Sequence, residues 1–405
     1  MTVPKEPIDR LDEKLPEGID RRKFLGATVA GLLGVSAGCI GDDDDDDDTD
    51  NDFDLDTPFR QPWVPEPTWA VGWIADDEGH WEDAGLSQIH TQEGEGSDDT
   101  AAGVIGGQFN VACHDMAAGV GAWDGADAGD VYIFGINKQW GLFGLMWPEQ
   151  YGDSLDDLDD LTDTDEYYWV CSSGNALNTW EIIRNEYDLD QSQDETTLYS
   201  EAETRTAIED GEADVVYGSV DTVGVNNEAV AANDDRYADS DEMVARGVSS
   251  NIHDVIGFPF VVNGDFYDDN SDVIDEFLAR VLEGYSSAAH WAFTNPDDAI
   301  DFIKGVNPDL EDVSEDALTI QMQTVVATEL GSEGFENGVG WLDEDAIRES
   351  VDILEPIMAP DEGVPDADDL IISEPYEMAD LTTFDEDEEQ AAREYAADVF
   401  EAFGE

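Results

Sequence analysis

Five short stretches of this chain carry side chains that could hold a ligand. The first is Trp63-Val64-Pro65-Glu66-Pro67-Thr68-Trp69, an aromatic and proline cluster. Trp63 ends an apolar run and Trp69 opens a helical pattern. Aromatic rings at such places stack on flat molecules, with core packing as their competing use. The second is Gly94-Glu95-Gly96-Ser97. Ser97 can cap the helix that follows, and the free N–H groups of a helix start also receive anions and carbonyls. The third is Cys113-His114-Asp115. Cys, His and Asp together are metal ligands elsewhere. Successive residues of an extended chain point to opposite sides, so Cys113 and Asp115 share a side and His114 does not. The three cannot converge on one ion, and a polar strand end facing a cleft, with His114 and Asp115, is the expectation. The fourth is Ser172-Ser173-Gly174-Asn175, between a strand pattern and a helix pattern. Hydroxyls and N–H groups there suit a carboxylate, a sulfonate or a ring carbonyl, although capping alone also explains them. The fifth is Tyr217-Gly218-Ser219-Val220-Asp221, where Ser219 and Asp221 offer a hydroxyl and a carboxylate, or simply form a polar loop.

Nothing in the chain reads as catalytic. It has no G-x-S-x-G, no H-E-x-x-H and no P-loop. The five histidines (His80, His90, His114, His253 and His290) are spaced without pattern. Carboxylates are so abundant that pairs of them carry no signal for acid–base work. No metal and no cofactor is expected.

The five stretches fall at the ends of expected elements. Apolar runs at 59–63, 86–90, 109–113, 131–136, 167–171, 196–199 and 215–217 read as strands. Segments 68–78, 98–106, 117–123, 175–186 and 202–210 read as helices, and Gly211 stands where a C-cap belongs. Short strands separated by helices predict an α/β fold with largely parallel sheets. Beyond residue 272 the pattern is mostly helical and closes with a helix over 388–403. A folded part of this length exceeds one compact core, so two lobes are expected. Apolar segments 142–147 and 256–262 bracket the second lobe and read as crossover strands.

The charge and the first fifty residues bound the setting. There are 101 acidic and 16 basic side chains, a net charge of −85. Such a chain repels itself. With 41% hydrophobic residues and 11 tryptophans it nevertheless has the means to build a core, so disorder is not the reading. Concentrated salt suits it, since the Debye length is about 3 Å at 1 M. This is the composition of an extreme halophile, a haloarchaeon, and it lacks the basic footprint that nucleic acid requires. Near the start, Arg21 and Arg22 precede an uncharged run ending in Ala37-Gly38-Cys39, and seven aspartates follow, Asp42 to Asp48. Paired arginines, a short apolar segment and a small-small-Cys site form a twin-arginine export signal with lipidation on Cys39. A plain membrane anchor is the alternative, but the run is short against the roughly 20 residues a span needs. The expected organisation is a signal over 1–38, an acidic disordered tether over 39–56, one lobe from 57–145 plus 257–405, and a second over 146–256. The chain would sit at the cell surface as a membrane-anchored lipoprotein. Cys113 and Cys171 could form one disulfide, but two buried thiols are the favoured reading.

An ordered series of motifs resembles a known family. Trp63-x-Pro65 is followed at 75–86 by Ala-Asp-Asp-Glu-Gly-His-Trp-Glu-Asp-Ala-Gly-Leu. This looks like the opening of the thiamine-precursor, nitrate, sulfonate and taurine group of solute-binding proteins. The turn at 94–97, Gly107-Gln108-Phe109-Asn110-Val111, Ser154-Leu155-Asp156-Asp157-Leu158, Glu209-Asp210-Gly211-Glu212-Ala213-Asp214-Val215-Val216 and Asn295-Pro296-Asp297-Asp298-Ala299 match further family motifs in order. The resemblance runs from residue 57 to about residue 358. It implies a periplasmic-binding-protein fold of type II, two lobes joined by two crossover strands, and a monomer that delivers a small molecule to ABC permease subunits. Trp63 and Trp69 would stack on the ligand; Ser97, Ser172, Ser173 and Asn175 would hold its polar ends. The pyrimidine-binding branch has Asn and His where this chain has Thr68 and Trp69. Two alternatives share the fold: an enzyme, of which an intracellular pyrimidine synthase is one example, and a chemosensory receptor.

Overall fold

The alternation of short apolar runs and helices resolves into two five-stranded sheets. The computed structural model describes Leu55 and residues 57–404, apart from Thr164, Asp234, Asp235, Asp241, Ser250, Ser332 and Asp361. Arg21, Arg22 and Cys39 lie outside the described residues. Both sheets belong to one compact unit, Asn51–Glu405.

The first four strands are β1 (Phe59–Arg60), β2 (Thr91–Gln92), β3 (Val111–Cys113) and β4 (Val131–Lys138). The chain then passes to a second sheet made of β5 (Phe143–Pro148), β6 (Trp169–Cys171), β7 (Thr197–Leu198), β8 (Val215–Ser219) and β9 (Met243–Gly247). It returns as β10 (Phe258–Asn263), which inserts between β3 and β4. The orders are β2-β1-β3-β10-β4 and β7-β6-β8-β5-β9. β1, β2 and β3 run parallel, and so do β6, β7 and β8. β10 and β5 are antiparallel to their neighbours, with Phe260 opposite Cys113 and Leu145 opposite Tyr217. The two apolar segments expected to cross form β5 and β10, and the chain passes between the sheets just before each.

Strand periodicity decides which residues meet which layer. In β10, Phe258, Phe260 and Val262 face the larger core, while Val261 faces the opposite layer. The larger core takes in Phe59, Phe134 and the long helix Ile274–Thr294, where Tyr285 meets Phe260 edge-on at 5.0 Å. The opposite layer joins Ala112, Ile133 and Ile136 to Ile347, Val351 and Leu354 of the helix Glu344–Met358. The second sheet alternates likewise. Leu145, Trp147, Trp169 and Tyr217 lie on one face and Met146, Val170 and Val216 on the other.

Three local expectations shift. The run at 86–90 is a turn beneath the sheet, anchored by buried Leu86 and Ile89, and the strand begins one residue later at Thr91. The helix expected over 175–186 breaks at Thr179, whose hydroxyl bonds the Tyr217 hydroxyl at 2.7 Å. The last helix breaks at Ala396 into Glu386–Tyr395 and Ala397–Ala402. That break turns Phe403 onto Trp140, stacked at 5.0 Å, and brings the Ala402 carbonyl to Asn251. The chain's end thus packs across the place where the two sheets connect. Cys113 and Cys171 are free, buried, and in different sheets. Among the described residues no helix is long and apolar enough to cross a membrane.

Candidate ligand-binding site

In open α/β sheets the carboxyl ends of parallel strands leave a crevice where ligands bind. Here the strand ends of both sheets face one cavity of about 710 Å³. From the first sheet come Trp63, after β1; Ser97, after β2; and Phe258, which opens β10. From the second come Phe143 in β5, Ser172 after β6, Tyr199 after β7, and Ser219 and Asp221 at the end of β8.

The floor of this cleft rests on a buried ion pair. Lys138, at the end of β4, and Glu329, on the helix Glu315–Leu330, are both fully buried and 2.9 Å apart. The Glu329 carboxylate also accepts from the Tyr285 hydroxyl at 3.1 Å. Lys138 Nζ donates to the Thr68 carbonyl at 3.2 Å and lies 4.6 Å from the centre of the Trp69 ring. Thr68 in turn donates its hydroxyl to Asp221 Oδ2 at 2.7 Å. That last bond reaches from the first sheet's turn to the second sheet's strand end.

The sequence-predicted residues divide by position. Trp63 lines the cavity at its rim and is 41% exposed. Trp69 contributes one edge to the wall but is only 5% exposed, packed edge-on to Phe258 at 4.9 Å and over Lys138. Its main role is core, because nearly all of its ring is covered by neighbours. Ser97, Ser172, Ser173, Gly174, Ser219 and Asp221 all line the cavity. Ser97 accepts from the Asp115 backbone N–H at 3.1 Å, which ties the turns after β2 and β3 together. Ser173 caps the short helix Gly174–Asn178 by accepting from Ala176 N–H. Ser172 is 2% exposed and its hydroxyl has no partner in the chain. It sits directly over Gly218, where a Cβ would fall 1.6 Å from Ser172 Oγ, so only glycine leaves room for the hydroxyl there.

Pro65, His114 and Asp115 are not among the lining residues, and the Asn175 side chain lies outside what the structure describes. Pro65 is buried and gives its carbonyl to Asn307. His114 is fully buried with its ring edge-on to Trp123, and burial lowers it to about 4, so it is neutral near pH 7. Asp115 turns inward to cap the helix Met116–Ala122, accepting from Ala118 N–H at 3.1 Å. Burial pushes its carboxyl up to about 7, against the pull of the Ala118 and Ala117 N–H groups and with a smaller push from Asp98. The strand-alternation argument for Cys113-His114-Asp115 does not extend to Asp115, because the strand ends at Cys113.

Sequence reasoning missed Phe143, Tyr199 and Phe258, which form much of the apolar wall. Each had been assigned to a strand. Tyr199 ends its run, so the strand-end rule could have flagged it. Also missed was the acidity of the helix starts. The helix Ser97–Ile105 carries Asp98 and Asp99 in its first turn, and Ser200 caps the helix Glu201–Glu209 in a box with Glu203. Asp98 and Asp99 already meet the positive helix start at which the turn 94–97 could receive an anion, and Glu203 does the same at the helix after Ser200.

Comparison with solved structures places the fold. The ligand-binding component of an ABC-type import system from Staphylococcus aureus, solved with zinc bound, superimposes with a TM-score of 0.54 at 11% identity, covering 80% of this chain and 100% of that one. The aliphatic sulphonate binding protein SsuA of Escherichia coli gives 0.52 at 10% identity, over 81% and 92%. The alkanesulfonate-binding protein SsuA of Xanthomonas axonopodis pv. citri, bound to MOPS, gives 0.51 at 12%, over 78% and 98%. The fold is therefore that of the periplasmic binding proteins, mixed α/β with two five-stranded sheets. At these identities the likeness is one of fold. No family model and no curated protein matches the chain.

Two outcomes follow. Lys138→Met leaves Glu329 buried without its cation, which should cost about 3–5 kcal/mol in denaturant melts at high salt; a loss below about 1 kcal/mol would mean that the pair does not hold the floor. Asp115 is held above its ordinary pKa of about 4, so the folded state favours its neutral form. The stability this group adds is fully present below about pH 4 and is lost as pH rises through about 7. Asp115→Asn keeps a capping oxygen and removes the ionisation. It should gain on the parent between about pH 5 and 8, by up to roughly 1.4 kcal/mol per pKa unit. A difference that stays constant across that range would contradict the assignment.

Proposed function

We propose that this chain is the extracytoplasmic substrate-binding component of an ABC importer. Export through the Arg21-Arg22 signal and lipid on Cys39 would hold it at the cell surface as a monomer, beside the permease subunits it serves. The observation that carries this reading is the cavity whose walls come from the strand ends of both sheets, with Trp63 at its mouth. A small organic molecule seated there touches both halves at once. Its contacts then favour the state in which the halves are drawn together, and a permease can read that state. The proposed halves are 57–145 with 257–405, and 146–256. The resemblance in sequence points to a pyrimidine, a sulfonate or a related ligand.

The division of labour between two tryptophans offers a check. Tryptophan fluorescence and thermal melts in about 3 M KCl, which screens the acidic surface, should reveal a ligand that raises the melting temperature by linkage. Trp63→Ala should weaken that ligand roughly tenfold or more, about 1.4 kcal/mol, and leave the ligand-free melt unchanged. Trp69→Ala should cost about 3–5 kcal/mol of stability. Parental affinity in Trp63→Ala would remove this residue from the site.

A further inference from the structure

We infer that the molecule captured in this cleft is a small organic cation, its charge set against Asp221 and its body against Trp63, Phe143 and Tyr199. This rests on the importer reading and sets the wall's chemistry against the sulfonate that the resemblance in sequence suggests.

Four carboxylates are buried among the described residues: Asp115, Asp214, Asp221 and Glu329. Glu329 has Lys138 and Asp214 has Arg236. Asp115 is satisfied by the N–H groups of the helix it caps. One oxygen of Glu329 is likewise buried without a partner, but Glu329 keeps its cation, and among the described residues Asp221 has neither a cation nor a helix that it caps. It is 7% exposed, one oxygen accepts from Thr68, and the other is buried without any partner in the chain. An unpartnered carboxylate oxygen away from water is costly. The acidity of a halophile's surface does not account for it, because Asp221 is not on the surface. It lies in the cavity wall, and so does the buried, unpartnered hydroxyl of Ser172. Two buried polar groups without partners thus belong to the wall of the same space.

The rest of the wall has the same sign. Glu66, Glu95, Asp98, Asp99 and Glu203 line the cavity with Asp221, and among the described residues no lysine, arginine or histidine does. Two basic side chains, Lys138 and Arg60, stand behind this wall without lining the cavity. Lys138 is committed to Glu329 and to the inner face of Trp69. Arg60, which feels the charges of Asp99, Glu95 and Glu93, lies 4.4 Å over the Phe109 ring. Burial raises the Asp98 carboxyl, so the wall favours its neutral form. A sulfonate, nitrate or carboxylate would enter a cavity with no cation to receive it. An organic cation would supply the missing partner of Asp221, and aromatic faces attract such cations by about 0.5–2 kcal/mol each.

The test is a titration of the full chain at high salt, read by fluorescence and by melting temperature. Choline, N-methylpyridinium and benzylammonium form the cationic arm. Ethanesulfonate, nitrate and benzoate form the anionic arm, and 3,3-dimethylbutan-1-ol is the neutral counterpart of choline. At least one cation should bind saturably and raise the melting temperature. Asp221→Asn should weaken it roughly tenfold or more, and so should Trp63→Ala, a change at an exposed ring that leaves folding intact. Binding by an anion, or by the neutral alcohol as tightly as by choline, would overturn the cation while leaving the importer reading in place. Cation binding unchanged in both variants would overturn the assigned residues. Silence in every arm, from a chain that melts cooperatively, would count against the cation and the binding-protein reading together.

Discussion

The buried pair Lys138–Glu329 fixes the geometry on which the cleft depends. Burying two charges is costly, and their attraction offsets this only with good geometry and extra hydrogen bonds. Here Tyr285 and the Thr68 carbonyl supply those bonds. In return, three things are placed at once. The Trp69 ring is held against the ammonium, the Pro67–Trp69 turn is held by its carbonyl, and the Thr68 hydroxyl is aimed at Asp221 across the cleft. A chain with only 16 basic residues puts one of them at this junction, where a hydrophobic pair of like volume would pack without orienting anything.

The same logic separates two kinds of carboxylate. Most of the 101 acidic side chains answer to the solvent, and their repulsion is relieved by salt. The few that are buried answer to specific partners. Composition alone cannot tell these populations apart, because Asp221 and a surface aspartate are the same letter. Burial and hydrogen-bond partners can. That is why the cleft's character, acidic and aromatic, emerges only once the strand ends of both sheets are brought together.

Much of the fold was legible in the sequence. Strand and helix periods gave an α/β fold and placed most strands within a few residues, but missed β9 and the helix Val223–Ala232. The misplaced strand near residue 90 had the same apolar content as a strand but used Leu86 and Ile89 as anchors of a turn. The site was legible in outline, since Trp63, Ser97, Ser172 and Asp221 were read at strand ends and all line the cavity. What failed was direction. Pro65, His114 and Asp115 also stand near strand ends but turn inward, where the Asn307 amide donates to the Pro65 carbonyl, Trp123 meets His114 edge-on and Asp115 caps a helix. Sequence neighbours share a location, and only packing decides which way each side chain points. Phe143 and Phe258 were hidden for the opposite reason, since an apolar residue that opens a buried strand reads as core.

The central claim is that one ligand engages both sheets and draws them together. Small-angle X-ray scattering at high salt, with and without a ligand that saturates the cleft, tests this most directly. The account predicts that ligand lowers the radius of gyration in the parent and fails to do so in Asp221→Asn at the same concentration. A ligand that binds saturably while leaving the parent's scattering profile unchanged would contradict it, since occupancy of the cleft would then carry no signal to a partner.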